Sequence, residues 1–242
     1  MSWLADYPGA IVVPARWFGY GQPNRPKAWA LHTPEEPADD HMGTPYYLQT
    51  TDRQASAHYF VSFHGFVCQL VPESEGAYAN AVEGKTYPVW ADSKINLNLQ
   101  TLSIEIEGMA ATIHQTMPRN SAQWNALVNL MAHRCKALNI PPGRTFPHKD
   151  VSIYRSDPGQ LNIPLLVTDV IAAMEDEMTP AEFAAMLKAN PDFMAALTKL
   201  NQVKANTDTL IKQLGAHVAT PHAGARHKHG VKAALSGETE EA

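Results

Sequence analysis

The chain has 242 residues, 45% of them hydrophobic and 18% charged, with 19 basic against 24 acidic side chains and a formal net charge of −5. That is enough for one sizeable domain plus an appendage, in the composition of an ordinary globular protein. The acidic balance offers no general field for nucleic acid, and no apolar run approaches the ~20 residues of a membrane span, so neither nucleic acid nor membrane insertion is expected. The first ten residues, M-S-W-L-A-D-Y-P-G-A, lack the basic and apolar regions of a secretory signal, so synthesis as a soluble cytoplasmic protein is expected. Cys68 and Cys135 are far apart, in a strand-like run and on the apolar side of a predicted helix, and read as buried thiols rather than a disulfide.

In chain order, residues 1–27 are rich in Pro, Gly and aromatics without period and read as an extended arm, with turns at Pro23 and Pro26. Ala28 to His32 is a short strand ended by Thr33-Pro34, and Glu35 to Thr51 is a long polar loop of the kind that often carries function. Gln54 to Val71 reads as a hairpin turning at His64-Gly65, and residues 72–98 return to loop. Thr101 to Gly108 alternates, with Leu102, Ile104 and Ile106 on one face and Ser103, Glu105 and Glu107 on the other. Ala122 to Leu138 carries an apolar stripe at helical spacing, capped by Asn120 or Ser121 and stopped by Pro141-Pro142-Gly143. Asn162 to Met178 is a second helix. The fold class expected is α/β, a central mixed sheet flanked by helices.

After Thr179-Pro180 the character changes. A short amphipathic helix over 181–188 and a longer one over 192–214 are expected, the latter with Ala196, Leu200, Val203, Thr207, Leu210 and Leu214 on a narrow seam. The seam spans fewer than three heptads; it suits either packing on the main domain or self-association of two chains. Residues 216–242, with four histidines and an acidic end, read as a disordered tail. The division is therefore 1–178, 179–215 and 216–242.

With eleven histidines in the chain, position decides which matter. The stretch F-P-H-K-D-V-S-I-Y-R-S-D-P-G, Phe146 to Gly159, sets His148 and Asp157 in one short loop, and both are zinc-ligand types. His32, at the end of a strand and the start of a long loop, is a candidate third ligand; by spacing alone an ordinary structural histidine fits it better. Metal-assisted hydrolysis also needs a base and an oxyanion partner; Glu105 and Glu107, two carboxylates on one strand face, are open for the first and Arg155 is a candidate for the second. Spacing alone equally allows Glu105 and Glu107 to be the solvent side of a strand, and Arg155 to be a surface cation paired with Asp150 or Asp157.

Four blocks then carry a resemblance: A-W-A-L-H-T, S-A-H-Y-F-V, L-S-I-E-I-E-G and H-K-D-V-S-I-Y-R-S-D-P-G. In this order they resemble the zinc-dependent N-acetylmuramoyl-L-alanine amidases of the type-2 class, related to peptidoglycan recognition proteins, over roughly residues 10–175. The resemblance implies a Zn2+ site of His32, His148 and Asp157, Glu105 as base, Glu107 as a supporting carboxylate, and peptidoglycan as substrate. Modular phage endolysins resemble the whole layout, which implies synthesis in the host bacterial cytoplasm and action on the wall after release, with the helical appendage at 179–215 as a wall-targeting or oligomerising element. A cytoplasmic amidase recycling small muropeptides and a non-catalytic peptidoglycan-binding module are the alternatives. The sequence departs from the family at Arg155, where lysine is common, and at Tyr78-Ala79-Asn80, where many relatives have an aromatic followed by histidine.

Overall fold

The computed structural model describes residues 3–37, 42–177, 206 and 209. The chain divides into two compact units, Met1–Met186 and Leu187–Ala242. Of the second, Asn206 and Thr209 are described, both helical and exposed; the seam over 192–214 and the histidine-containing tail otherwise lie outside the described residues, as does the helix expected over 181–188.

In the first unit the strands are β1 (Ile11–Val12), β2 (Ala28–His32), β3 (Tyr59–Val61), β4 (Val67–Gln69), β5 (Thr101–Ile106) and β6 (Thr145–Pro147). They form one mixed sheet in the order β1-β4-β3-β5-β2-β6. β3 and β4 are the expected antiparallel hairpin, and every other neighbouring pair is parallel. The helices are α1 (Gly43–Thr50), α2 (Ile113–Thr116), α3 (Ala122–Leu138) and α4 (Ile163–Glu177).

α3 begins where Ser121 accepts a hydrogen bond from the Trp124 N–H, and ends at Asn139 in a left-handed conformation. Its apolar stripe and that of α4 cover one face of the sheet, burying Trp29, Leu31, Leu102, Ile104 and Ile106 with Leu127, Met131, Leu166 and Val170. Burying each such side chain contributes about 1.5–3 kcal/mol. The two helices are joined at their edge by Asp169, which accepts from Trp124 Nε1 at 2.9 Å and pairs with Arg119.

Two expectations are corrected. Glu35 to Thr51 is not all loop, because Gly43–Thr50 is helical; α1 is short, and of its apolar side chains Pro45 and Leu48 are buried, so it shows no stripe. Nor is β5 half-exposed. Loops 72–98 and 148–153 cover its second face, where Ala28, Ala30, Leu97, Phe146 and Val151 form a small core. Ser103 and Glu107 are buried as well; His58 Nδ1 lies 3.1 Å from Ser103 Oγ, and Glu107 accepts the Phe63 N–H at 2.5 Å.

The arm is pinned rather than merely laid over the domain. Val13 and Ala15 donate to Gln69 and Leu70 carbonyls, Trp17 Nε1 donates to the Thr51 carbonyl, and Asp6 accepts from the Glu73 N–H. Beneath it lies His58, fully buried. His58 Nδ1 accepts the Ser103 N–H at 3.0 Å, so the ring proton sits on Nε2, 3.0 Å from the Glu75 carbonyl. Burial pushes His58 from its ordinary 6.5 down to about 4, with the Glu75 bond and Asp6 opposing.

The unfolded chain therefore binds a proton that the folded chain refuses between these two values. Stability is full above about pH 6.5 and falls by roughly 3 kcal/mol as the pH drops towards 4. Urea unfolding across that range should show a shallower pH slope in His58→Gln than in the parent; equal slopes would remove His58 as the cause.

Candidate active site and metal centre

Three neighbouring parallel strands, β5, β2 and β6, run with their carboxyl ends together. The register pairs His32 with Glu105, and pairs Leu31 with Pro147, so His148 follows beside His32. Glu105, His32 and His148 thus stand in a row at the carboxyl ends of the strands, where open sheets with parallel strands place ligands. Asp157 returns to the same point from the next loop.

That return is held by short-range geometry. Lys149 N–H donates to the Asp157 carbonyl at 3.1 Å and Lys149 Nζ to the Gly159 carbonyl at 2.6 Å. Gly159 has φ +64, and a Cβ there would lie 1.8 Å from the Ala110 carbonyl oxygen, so only glycine allows this approach.

The result is a buried triad. Asp157 Oδ2 lies 3.2 Å from His32 Nδ1 and 3.3 Å from His148 Nδ1, with the imidazole centroids 4.4 Å apart. One ligand atom from each of the three residues falls within 4.8 Å of the others. Burial pushes His32 down, opposed by its contact with Asp157, and so favours the neutral ring that ligates metals. Burial alone would raise Asp157, but contact with His148 and His32 outweighs it and holds the carboxyl well below the usual carboxylate range. Two imidazole nitrogens and a carboxylate oxygen, buried and convergent, fit a three-ligand zinc site with a position left for water or substrate.

Glu105 adjoins the triad on β5, and its Oε2 is buried without a hydrogen-bond partner. Burial, then Asp157 and Glu36, push Glu105 up to about 8; Arg155 pulls the other way. A carboxylate with that poise is suited to taking and returning a proton near neutral pH. Arg155 is exposed and lines the same cleft.

The cleft has a volume of about 1150 Å³, larger than most small-molecule pockets. Besides the four residues in the row and the loop, it is lined by Tyr47, Tyr78, Asn80 and Glu83 among others. The structure thus brings all five expected site residues to one cleft. Sequence reasoning missed Glu35 and Glu36, which follow β2 after Thr33-Pro34 and whose charges act on Glu105. It also noted Asn80 merely as a departure, although Asn80 Oδ1 lies 3.0 Å from His32 Nε2.

A family model described as Amidase_2, N-acetylmuramoyl-L-alanine amidase, matches residues 21–160, more than half of the chain. The chain belongs to this amidase family. Its fold agrees: the catalytic domain of XlyA aligns at 17% identity over 66% of this chain and 98% of that one, with a TM-score of 0.50. The N-acetylmuramoyl-L-alanine amidase LysC from Clostridium intestinale aligns at 15% identity over 68% of this chain and 99% of that one, TM-score 0.49. An AmpD derivative aligns at 18% identity over 76% and 96%, TM-score 0.47. A comparison with curated proteins finds no match. Among the described residues, no helix is long and apolar enough to cross a membrane.

Proposed function

We propose that this family member is a zinc-dependent hydrolase that cuts the amide between the lactyl group of N-acetylmuramic acid and L-alanine of the stem peptide. The observation that carries the reading is the row of Glu105, His32 and His148 on adjacent strand ends, closed by Asp157, on the floor of a large cleft. Zinc held by His32, His148 and Asp157 would supply Lewis-acid polarisation of the scissile carbonyl and a water of lowered pKa.

Glu105 takes the proton of the attacking water at its carboxylate and returns it to the leaving amine. The C–O bond forms first and gives a tetrahedral oxyanion; the C–N bond breaks as that species collapses and the amine takes the proton, leaving a lactyl carboxylate and a free L-alanine amino group. Arg155 faces the oxyanion as a fixed positive charge; unlike the lysine common in the family, it keeps its proton throughout. A purely binding role would leave unexplained the Glu105 Oε2, a buried carboxylate oxygen without a hydrogen-bond partner beside the triad.

The phage-endolysin reading rests on the layout of the chain, an arm and a C-terminal extension around the amidase region. Intact walls and soluble muropeptides separate it from recycling. Mass spectrometry of digested sacculi should show free stem peptides beginning at L-alanine, with glycan strands uncut. Turnover of soluble muropeptides without release from sacculi would favour recycling, and new reducing ends would contradict amide cleavage.

A further inference from the structure

Asn80 is buried in the wall of the cleft, and each of its polar contacts is directional. Its Nδ2 donates to Thr101 Oγ1 at 2.9 Å, while Thr101 Oγ1 spends its own proton on the Leu97 carbonyl at 3.0 Å. A hydroxyl has one proton to give, so Thr101 faces Asn80 as an acceptor, and the Asn80 amide can turn only one way. Its Oδ1 therefore faces His32 Nε2 as an acceptor, at 3.0 Å.

The backbone at Asn80 is held as firmly. Asn98 Oδ1 accepts from the N–H groups of Asn80 at 2.7 Å and Ala79 at 3.2 Å. That orientation turns Asn98 Nδ2 towards Tyr20, whose hydroxyl accepts it at 2.7 Å. A chain of oriented bonds thus runs from the arm through Asn98 and Asn80 to one imidazole of the triad. His148 has no equivalent: its Nε2 is buried without a partner.

We propose that Asn80 is a positioning residue for the metal centre, keeping the His32 proton on Nε2 so that Nδ1 is presented as the ligand atom. This rests on the zinc reading above. An outer partner that fixes ring and tautomer typically accounts for about 10–100-fold in metal affinity. Asparagine supplies the acceptor without adding another charge to a cleft already crowded with carboxylates.

The test uses the full chain, with zinc affinity from chelator competition and ¹⁵N NMR of the histidine rings in metal-free protein at mildly alkaline pH. Asn80→Ala should bind zinc about 10–100-fold more weakly than the parent, with metal-free thermal stability little changed. Asn80→Asp, which keeps an acceptor, should recover most of the affinity. Thr101→Val, which leaves Asn80 intact but frees its amide to turn, should lie between parent and Asn80→Ala. The metal-free parent should carry a proton on His32 Nε2, and Asn80→Ala should shift it to Nδ1, against Asp157.

Parent-like zinc affinity in Asn80→Ala, or an Asn80→Asp as weak as the alanine variant, would overturn the proposal. A parent that binds no zinc would instead overturn the metal reading, and the Nε2 proton in metal-free protein would still decide the role of Asn80.

Discussion

Glu105→Gln should reduce stem-peptide release by about 10²–10⁴-fold, the usual contribution of a positioned acid–base group, while zinc content stays at the parent level. Glutamine keeps the size and shape of glutamate but cannot take a proton, and residue 105 is not among the convergent ligand atoms. The change also removes a carboxylate that burial, Asp157 and Glu36 all disfavour. Its Oε2 has no partner to lose. The variant should therefore melt at or above the parent temperature, which separates lost chemistry from lost fold. Turnover within about threefold of the parent would remove Glu105 from the mechanism.

Asp157→Ala should lose both metal and activity. One oxygen, Asp157 Oδ2, meets Nδ1 of both His32 and His148, so alanine deletes a ligand and the anion that holds the other two together. Zinc affinity should fall by more than the roughly 100-fold upper range for outer-partner losses. Unlike Glu105→Gln, the loss of turnover should follow the metal: raising zinc far above the parent's requirement should restore part of it. Full zinc occupancy with no turnover would contradict the assignment of Asp157 as a ligand.

Much of the scaffold was legible because it follows regular periods. A-W-A-L-H reads as a strand, and the stripe from Trp124 to Leu138 reads as a helix with Ser121 as cap and Pro141-Pro142-Gly143 as stop. The burial of Glu107 and Ser103 was not legible. Their partners come from elsewhere in the chain, His58 beside Ser103 and the Phe63 N–H on Glu107, and share no period with β5. α1 escaped notice for a similar reason, since a helix of eight residues with few buried apolar side chains leaves no stripe to read.

The candidate site divides the same way. His148 and Asp157 lie nine positions apart and suggested a metal loop on their own. His32 was a candidate by its place at a strand end. The choice of His32, and of Glu105 over Glu107, came from family resemblance, because the parallel register that sets the two side by side has no signature in the spacing of either strand. Asn80 shows what spacing cannot convey. It is neither titratable nor a metal ligand, and its meaning comes from which way Thr101 turns its amide.

The most direct test of the central claim pairs elemental analysis with a wall-lysis assay on the full chain, before and after chelation. One equivalent of zinc, lysis lost on its removal and lysis restored by adding zinc back are the results predicted from His32, His148 and Asp157. Lysis that survives complete removal of zinc, or stoichiometric zinc without any amide cleavage, would contradict it.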